Sequence, residues 1–244
     1  MKVTTDLSVT SLRPRQSGIW TPSLLFDGGE QGAWFDPSDL STLFQDAAGT
    51  IPVTADGDQV GLILDKSGNG NHAIQSIPAT RPSWRTNGNV AWFEFDGVDD
   101  RVSINPIGYA SGSFGLCIGL SYLAYTPSTK YGSWRSLHID GPYIGASHPT
   151  SVGDIHSVAA VAELDGEPAS GSRHLLYAQL LKKRIATATG IPAAAFADNT
   201  WQFSGYSSPG SPPARVYGYV ESEALIAANV AMVRLWMAKH TKGA

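Results

Sequence analysis

Glu163, Asp165 and Glu167 alternate along Glu163-Leu164-Asp165-Gly166-Glu167. On an extended strand, alternate side chains share one face. Two carboxylates about 5 Å apart in one groove can act as nucleophile and acid/base in retaining glycoside hydrolysis. Against this, Pro168 follows at once, and proline cannot donate to the ladder of a central strand. The run Val158 to Ala162, leading into Leu164-Asp165-Gly166, fits a strand entering a hairpin turn. Glu163 and Glu167 then become turn-flanking surface carboxylates, and no catalytic residue is expected.

Asp96, Asp99 and Asp100 form a second acidic group, and Asp65 and Asn69 could join it. Carboxylates of this kind are hard ligands suited to Ca²⁺. The competing role is capping of turn backbone N–H groups. The spacing is not that of an EF-hand loop, which needs a Glu at its twelfth position. No metal or cofactor is expected, with calcium at Asp96, Asp99 and Asp100 as the alternative. The six histidines are scattered, with no H-E-x-x-H pair. There is no G-x-S-x-G elbow and no G-K-[ST] phosphate loop.

Tyr122 to Tyr143 is rich in aromatic residues. Within it, Tyr125, Tyr131, Trp134 and Arg135 are the candidate ligand-binding residues. Aromatic faces stack on sugar rings while neighbouring polar groups fix hydroxyls. The same aromatics could instead fill the core or a subunit contact, as could Trp201, Phe203 and Tyr206.

The elements that must position these residues read as strands. Val60, Leu62 and Leu64 precede the block Asp65-Lys66-Ser67-Gly68-Asn69-Gly70-Asn71-His72. Ala91, Phe93 and Phe95 precede Asp96-Gly97-Val98-Asp99-Asp100-Arg101, with Val102 and Ile104 beyond. Period-two runs broken by Asn-Gly and Asp-Gly signal tight turns between strands. Further strand-like runs fall near 33–35, 114–123, 137–140, 155–163, 174–181 and 214–220. Two packed antiparallel sheets are expected. A short helix is predicted over about 37–46, with Pro37 in its first turn and Leu40, Leu43 and Phe44 on one face. A second is predicted over 222–240, capped by Ser222 and terminated near Gly243. Residues 1–24 read as an extended arm carrying Leu12, Ile19 and Trp20, and residues 25–244 as the sandwich with its C-terminal helix.

Trp34-Phe35-Asp36, the Asp65–Asn71 block and Phe95-Asp96-Gly97-Val98-Asp99-Asp100 together resemble the concanavalin A-like/laminin-G-like jelly-roll domains. The version with Trp34-Phe35-Asp36-Pro37-Ser38-Asp39-Leu40 upstream is similar to domains of tailed-phage and prophage structural proteins. The resemblance covers Trp34 to Ile104, weakens from about Ser111 to Gly205, and returns faintly near the C-terminus. It implies an all-β, two-sheet antiparallel jelly-roll sandwich. Some glycosidases of that fold carry a Glu-x-Asp-x-(x)-Glu strand, but place an apolar residue where this chain has Gly166.

At 244 residues the chain is long enough to bury roughly 70–75% of its unfolded surface without staples. Hydrophobic residues make up 42% and charged residues 16%, a composition for folding rather than disorder. The net charge is −4 and Lys182-Lys183-Arg184 is the only basic triplet, so no nucleic-acid footprint is expected. Cys117 is the sole cysteine, which rules out an internal disulfide and a cysteine zinc cluster. No signal peptide is expected at Met1 to Asp6, and no apolar run approaches the ~18 residues of a membrane span.

The residues lead to the expectation of a non-enzymatic role, and the resemblance implies a phage or prophage virion protein of the tail fibre or tail tip. It would be made in the bacterial host cytoplasm, and would bind host-surface glycan or attach to other virion proteins. Homo-oligomerisation is expected. The alternatives are a capsid decoration or structural module without a glycan ligand, and a glycan-cleaving hydrolase using Glu163 and Glu167.

Overall fold

The computed structural model describes residues 20–123, 132–136, 143–146, 155–156, 161–168, 182–193, 201–203 and 213–242. They form two antiparallel sheets and one helix. The first sheet runs β13 (Glu167–Pro168), β12 (Val161–Leu164), β14 (Arg184–Pro192), β8 (Ser113–Tyr122), β16 (Ala214–Ser222), β6 (Ala91–Phe95), β5 (Ser83–Thr86). β1 (Gly32–Phe35) pairs with the second half of β16, beyond the stretch that pairs with β6. The second sheet runs β11 (Ile155–His156), β10 (Tyr143–Ala146), β9 (Gly132–Ser136), β15 (Trp201–Phe203), β7 (Val102–Ile104), β4 (Ala73–Ile74), β3 (Leu62–Ile63), β2 (Leu43–Phe44).

The sheets pack face to face. One apolar cluster joins Phe35, Trp84, Phe93, Phe95 and Val216 of the first sheet to Leu43, Ile63, Ala73, Val102 and Ile104 of the second. β8 shows how the sequence builds a third layer. Its residues Phe114, Leu116, Ile118, Leu120 and Tyr122 point into this core. The alternate positions are Gly115, Cys117, Gly119 and Ser121, all small, and they face the other way. That small-residue stripe receives helix α1 (Val230–Lys242), whose Val233, Trp236 and Met237 join Leu25, Phe26, Trp34, Cys117, Ile185 and Val220 in a second cluster. A Cβ at Gly119 would lie 2.1 Å from Thr241 Oγ1 and 3.1 Å from Met237 Sδ, so the helix can seat only on glycine there. Each large side chain buried in this cluster contributes about 1.5–3 kcal/mol. β8 and β16 are therefore covered on both faces, unlike a sandwich strand with one wet side.

The expected helix at 37–46 is replaced by a single 3-10 turn, Leu40–Thr42, followed directly by β2. Asp36 caps Ser38 and Asp39 caps Ser41 through side-chain bonds, which favours turns over helix. Leu43 is then drawn into the core, pairing with Ile63, while Leu40 stays exposed. The C-terminal helix begins at Val230, not 222. Ser222 closes β16, and its hydroxyl accepts from Ala224 N at 3.0 Å. Glu223 turns away to accept from Gln31 N and Ser111 N, which hold its carboxyl below the usual range although partial burial opposes them. Of the segment expected to be an arm, residues 20–24 are described and lie against the fold: Pro22–Leu25 is a 3-10 turn, and Trp20 packs against the second cluster. Residues 137–140 and 174–181 lie outside the described set.

Candidate functional site

The carboxylates of the glycosidase-like strand sit at the β12–β13 hairpin. Asp165 (φ 53°) and Gly166 (φ 95°) form its turn, both left-handed as a two-residue Asp-Gly hairpin turn requires. Opposed residues across antiparallel strands share a face. Glu163 opposes Pro168 and Glu167 opposes Leu164, so Glu163 and Glu167 lie on opposite faces of the sheet. Leu164 is buried in the core, which puts Glu163 on the helix side, where Arg234 of α1 donates to it. Asp165 accepts from Arg184 Nη1 at 2.7 Å and from Ile185 N at 3.0 Å. Arg234 lines two shallow cavities along α1. One, of about 320 Å³, is lined by Glu163, Thr187 and Ala231, the other, of about 350 Å³, by Asp165, Ile185 and Leu235. The two glutamates have no common groove in which to share a substrate.

The first turn block works as a buckle. Asp65 accepts from Trp34 N and Ser67 N on Oδ1, and from Ser67 Oγ and Asn71 N on Oδ2, at 2.6–2.9 Å. The amides of Asn69 and Asn71 both donate to the carbonyl of Gly32, at 3.3 and 2.8 Å. His72 Nδ1 accepts from Asp65 N at 3.0 Å. The block thus clamps the start of β1, and the Asp65 oxygens are filled by protein donors. Asp65 and Asn69 do not join the second acidic group.

That group is Asp96, Asp99 and Asp100, whose carboxylate oxygens lie within 4.8 Å of one another. Asp96 Oδ1 accepts from Val98 N at 2.7 Å and, more weakly, from Asp99 N and Asp100 N. Asp100 Oδ2 accepts from Asp96 N at 2.9 Å. Burial pushes the Asp100 carboxyl up to about 7; the Asp96 amide opposes the shift, and the charges of Asp96 and Asp99 add to it. The cluster has the donor chemistry for a hard cation, and also the geometry of a self-capped turn.

Trp34, Asp36 and the terminal helix meet in a polar knot that the sequence motifs did not announce. Lys66 Nζ lies 3.0 Å from Asp36 and 2.8 Å from Asp39, and 4.6 Å above the Trp34 ring. Burial pulls the Lys66 ammonium down, but its bonds and charge contacts with Asp39 and Asp36 outweigh it and the net direction is up. Hydrogen bonds from Lys66 and Ser41 hold Asp39 low. Trp236 meets Trp34 edge-on at 5.6 Å, and His240 lies over Trp236 with Nε2 3.7 Å from Asp36.

Two further groups went unnoticed in the sequence. Glu221 is fully buried, accepting from Tyr109 Oη at 2.7 Å and Tyr219 Oη at 2.5 Å. It faces inward because a register shift between Val216 and Gly218 of β16 moves the core-facing positions from even to odd numbers. On the outer face of the first sheet, Trp92 and Tyr217 lie beneath Arg215 and Lys183, with Arg215 paired to Glu94 at 2.8 Å. Of the expected ligand-binding residues, Tyr125 and Tyr131 lie outside the described residues. Trp134 and Arg135 belong to β9, and their side chains lie outside the described set. Cys117 is buried, and burial pushes its thiol up, as an inert core cysteine requires. Among the described residues, no helix is long and apolar enough to cross a membrane.

Compared with protein-family models, curated proteins and solved structures, the chain matches none.

Proposed function

We propose that the chain is a non-enzymatic structural module of a phage or prophage virion, of the tail fibre or tail tip, built on a jelly-roll sandwich. It attaches to neighbouring virion proteins and to copies of itself, and binds host-surface glycan through the segment around Tyr125, Tyr131, Trp134 and Arg135. The observation that carries the non-enzymatic reading is the opposite-face placement of Glu163 and Glu167, which leaves the hydrolase alternative without a catalytic pair. The motif carboxylates Asp65 and Asp96 support it too, since backbone donors already occupy them. The reading needs no cofactor. The virion assignment comes from the resemblance of the turn blocks. Attachment is supported by Leu235, 63% exposed on α1, and by Trp20, which anchors the start of the described chain against the cluster beneath that helix.

The test compares the full chain with one lacking residues 1–19, which keeps Trp20 in place. Mass in solution and incorporation into particles are measured beside thermal unfolding. The truncated chain is expected to fold and to assemble less well. Unchanged assembly, or hydrolysis of a host glycan that Glu163→Gln abolishes, would overturn the proposal.

A further inference from the structure

Two Asn-Gly pairs occur in turns, Asn69-Gly70 and Asn87-Gly88, and the fold treats them in opposite ways. Asn69 is half-buried and its amide nitrogen donates to the carbonyls of Glu30 and Gly32, at 3.0 and 3.3 Å. Asn87 is exposed at the end of the β5–β6 hairpin, as are Gly88 and Asn89. Its amide nitrogen makes no hydrogen bond to the described residues. Its side-chain oxygen accepts from Asn89 N at 3.0 Å and Val90 N at 2.9 Å. The Gly88 N–H donates to Thr86 Oγ1 at 3.0 Å, and that hydroxyl is itself within 3.1 Å of the Val90 carbonyl.

We propose that Asn87 is a self-modification site at which the folded protein promotes its own deamidation. The Gly88 nitrogen gives up its proton to base in the solvent, and its electron pair bonds to Asn87 Cγ. The carbonyl electrons move onto Oδ1, where Asn89 N–H and Val90 N–H stand as a ready oxyanion hole. Thr86 Oγ1 receives the hydrogen bond of the attacking nitrogen and polarises it. Collapse of the adduct breaks the Cγ–Nδ2 bond, and the amide leaves to solvent as ammonia with the proton. Water then opens the cyclic imide, at Cγ to give aspartate or at the backbone carbonyl to give isoaspartate. No oxidant or cofactor is needed. Gly88 presents no side chain to shield its nitrogen, and its φ of +88° is one that only glycine takes cheaply. The product adds a negative charge, and in the isoaspartate form an extra backbone methylene, at the tip of an edge hairpin of the first sheet.

The experiment incubates the full chain, folded and in denaturant, in mildly alkaline buffer. Conversion at each asparagine is followed by peptide mass mapping, with fragmentation that separates aspartate from isoaspartate. In the folded protein Asn87 is expected to convert faster than in the denatured chain, by about tenfold or more, since oxyanion donors of this kind carry large rate effects. Asn69 is expected to convert more slowly folded than denatured. Thr86→Val, which leaves both oxyanion donors in place, should slow Asn87 alone. Conversion at Asn87 that is no faster folded than denatured overturns the proposal. So does equal conversion at both sites in the folded protein, or an unchanged Asn87 rate in a folded Thr86→Val variant.

Discussion

Arg234 of the terminal helix and Glu163 of β12 form an ion pair between residues 71 positions apart. The pair ties the helix to the strand whose alternating carboxylates offered the hydrolase alternative. Both side chains are about a quarter exposed, so the pair contributes about 0.5–1 kcal/mol, as partly solvated pairs do. Glu163→Gln and Arg234→Gln should each lower stability by that amount in urea titrations. A double-mutant cycle should return a coupling of similar size. Glu167→Gln should leave stability unchanged, and a large loss there would contradict the placement of Glu167 on the other face.

Replacing Asp65 should be far more costly. Its carboxylate takes hydrogen bonds from Trp34, Ser67 and Asn71 and joins the first turn block to β1. Removing a charged acceptor leaves partly buried donors unpaired, at up to about 1–3 kcal/mol each. Asp65→Ala is expected to lose about 3 kcal/mol or more. Asp65→Asn, which keeps one acceptor oxygen, should lose clearly less. Equal losses would mean that the carboxylate is not the clamp.

Gly119 and Thr241 offer a test of helix docking. Gly119→Ala places its methyl 2.1 Å from Thr241 Oγ1, and overpacking of this kind costs about 1–3 kcal/mol. Among the described residues Thr241 Oγ1 is buried with no hydrogen-bond partner, so Thr241→Ala alone should be nearly neutral or stabilising. The double variant should recover a large part of the Gly119→Ala loss, read by near-UV circular dichroism and thermal unfolding. No recovery would place the clash elsewhere, on Met237.

Asp100 gives the pH dependence a definite sign. Its folded-state pKa lies above the ordinary aspartate value, raised to about 7 by burial. Between about pH 4 and 7 the folded state binds the proton that the unfolded state has released. Its contribution is thus fully present below pH 4 and lost as pH rises through 7. Asp100→Asn should flatten that slope and raise stability at pH 8 relative to the parent chain. Asp39 works the other way, held low by Lys66, and its contribution is lost as pH falls through the acidic range. Millimolar calcium should leave the melting temperature unchanged. A calcium-dependent rise abolished by Asp99→Asn would instead make the Asp96–Asp100 turn a cation site.

The turns and the strands beside them were legible in the residues themselves. Asn-Gly and Asp-Gly report a local need for positive φ, and alternating Phe93 and Phe95 report a half-buried strand, both within a few residues. The hairpin at Asp165-Gly166 was legible for the same reason. β14 was not. Its Ile185-Ala186-Thr187-Ala188-Thr189 stretch is small and bland, and it becomes a central strand only because β8 and β12 pair with it on either side. The helix start was misplaced because Ser222 is a fair cap, yet its backbone pairs with Gly32 of β1, and long-range pairing overrides that local preference. Only the folded chain places Glu221 inside, brings Glu163 to Arg234, and sets Gly119 of β8 where a helix needs room. Each of these depends on which distant segments the closed chain brings together, and residue spacing along the sequence carries no record of that.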